Sequence, residues 1–176
     1  PQVGDKSLME ILKQSGLSEQ LLRRMSAVGG NRNAAAETIE NNIRSKIIQK
    51  QLADPEFFEK MSKQLTQIIQ KRRAEAIQYE KYLQEIAKLE RQVEEGKDPG
   101  TPKSLKTSGQ RALYNNLDRD ESLALRVHEA VHGVKADAWR GNPVKEREIK
   151  RVLFRELKDD GVVLRIFNIL VQNVEY

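Results

Sequence analysis

Apolar residues recur every three to four positions along most of the chain and strand-like alternation is scarce, so the pattern predicts an all-α protein. Two short helices are expected at 7–14 and 18–28, with Ser7 and Ser18 as N-caps and Gly29-Gly30 as a stop. A longer helix over 34–52 follows, with a buried stripe of Ala36, Ile39, Ile43 and Ile47, and with Ile48 and Leu52 beside it. Glu40 and Arg44 read as an i,i+4 pair on its outer face. Asp54-Pro55, an N-cap followed by proline at the first helical position, opens a helix that carries Phe58, Met61, Leu65 and Ile68 and ends near Arg73. Another over 78–94 presents Tyr79, Tyr82, Ile86, Leu89 and Val93. The 3-4 spacing of these two stripes suits antiparallel helical hairpins.

At 96–109 the composition shifts to Gly, Lys, Pro, Thr and Ser, which predicts a flexible basic loop carrying Lys97, Lys103 and Lys106. Shorter helices are expected at 110–116, 121–134, 143–158 and 162–174. Asn142-Pro143 repeats the cap-plus-proline device, and Gly161 is expected to separate the last two helices. The chain thus reads as a multi-helix bundle of helical hairpins. Residues 1–33 form an N-terminal helical extension, 34–95 the hairpin bundle, 96–109 the loop and 110–176 a C-terminal helical subdomain, with 34–176 as one domain.

Composition narrows the function classes. The 176 residues contain no cysteine, which excludes disulfides, thiol catalysis and Cys-ligated metal. No apolar run approaches the roughly 18 residues that span a bilayer. Pro1-Gln2-Val3-Gly4-Asp5 lacks the features of a signal peptide, and the missing initiator Met points to a piece of a longer, soluble, cytoplasmic polypeptide. A surplus of 31 Lys+Arg over 26 Asp+Glu, net +5, makes an acidic partner such as a phosphate backbone reasonable.

Two segments are candidates for chemistry. His128-Glu129-Ala130-Val131-His132 matches H-E-x-x-H, in which two imidazoles one helical turn apart can chelate zinc while the glutamate acts as general base. These are the only histidines, Ala138 stands where a third would fall, and Glu146, Glu148 or Glu156 would have to serve as third ligand. No strand is expected to line a substrate cleft. The bland alternative has Val127, Ala130, Val131 and Val134 facing the core and the histidines as ordinary polar positions. It is adopted, and no catalytic, cofactor-binding or metal-binding residue is assigned.

The other segment begins at Trp139-Arg140-Gly141-Asn142-Pro143. Trp139, the sole tryptophan, reads as an apolar anchor for a turn, and Gly141 suits a left-handed position. Arg140 and Lys145 precede a helical stripe of Arg147, Lys150, Arg151 and Arg155, opposite Ile149, Val152, Leu153 and Leu157. With Lys103 and Lys106 of the loop, these cations are the candidate contacts for a partner or for duplex DNA. The absence of aromatic residues in the stripe disfavours single-strand binding. Neither G-x-x-x-x-G-K-[ST] nor G-x-G-x-x-G occurs.

An ordered series of segments resembles the C-terminal region of type I restriction endonuclease subunit R. It comprises Ala36-Glu37-Thr38-Ile39-Glu40-Asn41-Asn42-Ile43-Arg44, Pro55-Glu56-Phe57-Phe58-Glu59-Lys60-Met61-Ser62, Arg72-Arg73-Ala74 with Tyr79-Glu80-Lys81-Tyr82-Leu83, and Arg111-Ala112-Leu113-Tyr114-Asn115-Asn116-Leu117. Asp137-Ala138-Trp139-Arg140-Gly141-Asn142-Pro143, running into Lys150-Arg151-Val152-Leu153-Phe154, completes it. The resemblance covers about 34–176. It implies a parent chain with a nuclease domain and two ATP-driven translocase lobes, using ATP and Mg, that joins methyltransferase and specificity subunits. This piece would be a non-catalytic assembly region with no cofactor of its own, docking on the methyltransferase core and contacting duplex DNA. The rival readings are a zinc-dependent hydrolase using the 128–132 segment and a stand-alone duplex-DNA-binding domain.

Overall fold

The computed structural model describes residues 7–25 and 30–176. The expected end of the second helix at Val28 and the stop at Gly29 lie outside the described residues. Among those described there are nine α-helices and no strand. They are α1 (Leu8–Gln14), α2 (Glu19–Met25), α3 (Arg32–Lys50), α4 (Pro55–Arg73), α5 (Tyr79–Glu95), α6 (Ser108–Asn116), α7 (Glu121–Val134), α8 (Pro143–Leu157) and α9 (Asp160–Gln172), with a 3-10 turn at Gln51–Ala53. No helix among the described residues is long and apolar enough to cross a membrane.

These helices form two compact units. The first takes the described residues of 1–49 and 59–95, the second 50–58 and 96–176. The short stretch 50–58 belongs to the second unit because its polar anchor, Asp54, is bound there.

In the first unit, Ser7 caps α1 through a reciprocal capping box with Glu10, and Leu8, Ile11 and Leu12 are buried. Ser18 caps the start of α2 by accepting from Leu21 N–H at 3.3 Å, and its own N–H donates to Glu90 of α5 at 2.8 Å. The stripes expected on α3, α4 and α5 are buried except for the half-buried Tyr79, with Ile39, Ile43, Met61 and Ile86 at 0% exposure. Each such side chain contributes about 2 kcal/mol of apolar burial.

Glu40 departs from expectation. It is 2% exposed and accepts two hydrogen bonds from Arg72 and one from the Tyr82 hydroxyl at 2.7 Å. A carboxylate on the inner face needs such partners, because an unpaired buried charge is costly. Arg44 instead donates to Asn41 Oδ1 at 3.2 Å. Ile48, expected beside the buried stripe, is 64% exposed, as is Leu52 of the second unit.

The second unit is built on α6 to α9, with α6 against α7, α7 against α8, α8 against α9, and α9 against both α6 and the 51–53 turn. Leu113, Val127, Val131, Ile149, Leu153 and Ile166 form its fully buried centre. Asp54 caps α4 by accepting from Phe57 N–H, and its two oxygens also accept the side-chain amides of Asn115 and Asn116 at 2.9 and 2.8 Å. Burial, offset in part by these hydrogen bonds and by Arg111, pushes its carboxyl up to about 6.

The segment expected to be a flexible loop at 96–109 carries no helix before Ser108, where α6 begins, and follows a defined course of turns. Asp98 Oδ1 accepts from Gly100 N–H, the Asp98 carbonyl accepts from Thr101 N–H, and Leu105 is buried at 4% exposure. Thr107 then opens α6 with a second capping box, through Gln110. Farther on, α8 stops at Lys158, which is left-handed at φ 55°, and Asp159 caps α9 by accepting from Val162 N–H. Gly161 therefore lies inside α9 and does not separate the two helices. The break is made by a left-handed residue followed by an aspartate cap.

Candidate functional site

The two histidines sit on α7, a helix capped by Asp120 and buried through Ala124, Val127 and Val131. Positions 128 and 132 fall on one edge of that buried face, one turn apart. His128 is 7% exposed, so it is a core position rather than an ordinary polar one, while Val134, expected in the core, is 36% exposed. The ring centroids of His128 and His132 are 4.4 Å apart.

Their partner comes from the segment after α9. Asn173 ends that helix with its N–H on the Leu170 carbonyl, and its side-chain oxygen accepts from Glu175 N–H at 3.0 Å. The turn places the Glu175 carboxylate facing both imidazoles, with Oε1 at 3.9 Å from each Nε2. One ligand atom from each of His128, His132 and Glu175 lies within 4.8 Å of the other two. The other Glu175 oxygen accepts from Gly109 N–H at the start of α6. Gly109 leaves that approach open: a Cβ there would stand 2.5 Å from Glu175 Oε2 and from the Tyr176 ring.

Tyr176 completes the arrangement. Its hydroxyl meets His128 Nδ1 at 2.6 Å, and its ring packs edge-on against the His128 ring. Burial first, then the Glu175 charge, pushes its phenol well above the usual range, so it stays protonated. His128 is shifted down, chiefly by burial and then by His132, which favours the neutral imidazole.

Trp139 is the buried anchor expected, 2% exposed, with its ring edge against Phe167 and its Nε1–H on the Tyr176 main-chain oxygen at 2.7 Å. Gly141 is left-handed at φ 77°, and Asn142 caps α8 through Val144 and Lys145 N–H.

The candidate cations divide into two groups. Arg140 donates to the carbonyls of Leu170, Val171 and Asn173, so its guanidinium closes the C-terminus of α9. Lys145 Nζ donates to the Asp137 carbonyl at 2.6 Å, and Lys150 Nζ lies 4.5 Å from the Phe167 ring centre. These three serve the fold. Arg147, Arg151 and Arg155 are exposed on α8, with Arg151 near Glu148 and Arg155 near Glu156. Lys103 and Lys106 are exposed in the turn segment.

The carboxylates considered as a third ligand lie elsewhere: Glu146 accepts from Gly141 N–H, Glu148 pairs with Arg151, and Glu156 pairs with Arg126. No local periodicity links Glu175 and Tyr176 to the histidines, which lie 43 to 48 residues away in sequence. The resulting set of two imidazoles and a carboxylate can share protons or ligate a borderline-soft cation. Comparison with family models, curated proteins and solved structures gives no match to this chain.

Proposed function

We propose that the chain is a non-catalytic helical assembly module, the C-terminal region of a type I restriction endonuclease R subunit, which docks on the methyltransferase core and reaches duplex DNA. The observation that supports this reading is that the segments carrying the resemblance meet one another in space. Glu40, Arg72 and Tyr82 come from three of those segments and share one buried cluster. Pro55 and Phe57 follow the Asp54 cap that binds Asn115 and Asn116, and Trp139 with Arg140 ties down the end of α9.

Docking falls to the cations that the fold leaves outward. Arg147, Arg151 and Arg155 line the exposed side of α8, and Lys103 and Lys106 stand on the turn segment of the same unit. Guanidinium groups at i, i+4 and i+8 suit phosphates or an acidic helix.

The test is co-expression with methyltransferase and specificity subunits. The chain should co-purify with them and hydrolyse no ATP. A duplex should bind at low salt, and changing Arg147 and Arg151 to Ala should reduce the salt slope by about one per lost phosphate contact. Failure to bind either the subunits or duplex DNA sinks the reading.

A further inference from the structure

The geometry points to a metal site: His128 Nε2, His132 Nε2 and Glu175 Oε1 together bind one divalent transition-metal ion, zinc by donor class. A tetrahedral zinc with nitrogen and oxygen ligands has ligand–ligand edges of about 3.4 Å. Both His–Glu edges are 3.9 Å, about half an ångström longer, and the three ligand atoms all lie within 4.8 Å of one another, gaps that rotation of the glutamate and of the partly exposed His132 ring can close. The imidazoles come from one helix at i,i+4, the spacing that lets a helix offer two ligands to one ion.

The surroundings fit a metal better than a plain ion pair. A ligating histidine ordinarily gives its other ring N–H to an oxygen, which fixes the tautomer. For His128 that oxygen is the Tyr176 hydroxyl, 2.6 Å from Nδ1. With Nδ1–H donating there, the Nε2 lone pair would be free toward Glu175. The carboxylate is oriented in turn, since its second oxygen is held by Gly109 N–H and its own main-chain carbonyl accepts from Lys135 Nζ at 3.3 Å. His132 is 33% exposed at its side chain, which gives an ion a way in and water a fourth position.

The ion would act as a clasp between α7 and the 173–176 segment. Glu129 is exposed on the helix, outside the ligand trio, so the site is assigned as structural and its binding is independent of the assembly reading above.

The experiment uses the whole chain, stripped with chelator and then titrated with zinc, with cobalt(II) as a spectroscopic probe. One equivalent should bind with micromolar or tighter affinity, and cobalt should show the intense visible bands of low coordination number. The melting transition should rise by about 5 °C at hundredfold excess over Kd. Magnesium should do nothing, because hard cations avoid imidazole. His128→Ala risks unfolding a core position, so the decisive variants are His132→Gln and Glu175→Gln, checked for native helix content by circular dichroism. Each should weaken zinc binding by about a hundredfold or more, and Tyr176→Phe by about tenfold. No stoichiometric zinc, an equal response to magnesium, or unchanged affinity in folded His132→Gln and Glu175→Gln overturns the proposal.

Discussion

Glu40 and Arg72 meet through two parallel hydrogen bonds, 2.8 and 2.9 Å long, with side chains only 3% and 11% exposed. The paired geometry compensates two charges that burial would otherwise penalise. Replacing Arg72 by Met should leave the carboxylate stranded and cost about 3–4 kcal/mol in chemical denaturation. Changing Glu40 to Leu as well should recover most of that loss, because the penalty belongs to the orphaned charge.

Asp54 gives a pH signature of known sign. Its folded carboxyl titrates at about 6, above its ordinary 3.8, so between these values the folded state holds the extra proton. Its contribution is fully present in acid and is lost as pH rises toward 6, by about 2–3 kcal/mol in all. Asp54→Asn removes that titration. The stability of the natural chain relative to this variant should fall between pH 4 and 6.5 in urea melts, and a difference that rises or stays flat contradicts the assignment.

Lys158 adopts a left-handed conformation at the end of α8 with no Cβ-free residue to relax it. Lys158→Gly should raise stability by about 1 kcal/mol, measured by thermal or denaturant unfolding.

Gly109→Ala should act in the opposite direction. The added methyl overlaps Glu175 and Tyr176, and the Tyr176 ring is buried, so the tail must move. A loss of about 1–3 kcal/mol is expected. Because Trp139 donates to the Tyr176 main-chain oxygen, its fluorescence should shift to longer wavelength in the same variant.

Helix existence and the buried stripes were legible in the sequence because both follow from local period and capping: Asp54-Pro55 and Asn142-Pro143 mark real helix starts. The fate of individual charges was not. Glu40 looks like a surface partner of Arg44 until α4 brings Arg72 to it, and Arg140 looks free until the carbonyls of α9 arrive. The α8–α9 break was legible but its cause was not: Gly161 looks like the breaker, whereas a left-handed Lys158 and the Asp159 cap make the turn. The histidine pair was visible, and its carboxylate was not, because Glu175 joins it only through the tertiary fold.

The stretch 50–58 fits the second unit although it is threaded between two parts of the first. During synthesis on a ribosome it emerges well before Asn115 and Asn116, so Asp54 stays in water until α6 is made. An excised fragment 96–176 would lack that carboxylate permanently, and the Asn115 amide would lose its acceptor while Asn116 kept only the Ala112 carbonyl. Neither unit can therefore be exchanged between related chains as a contiguous cassette: a swap that respects the fold must carry residues 50–58 along with everything beyond 95.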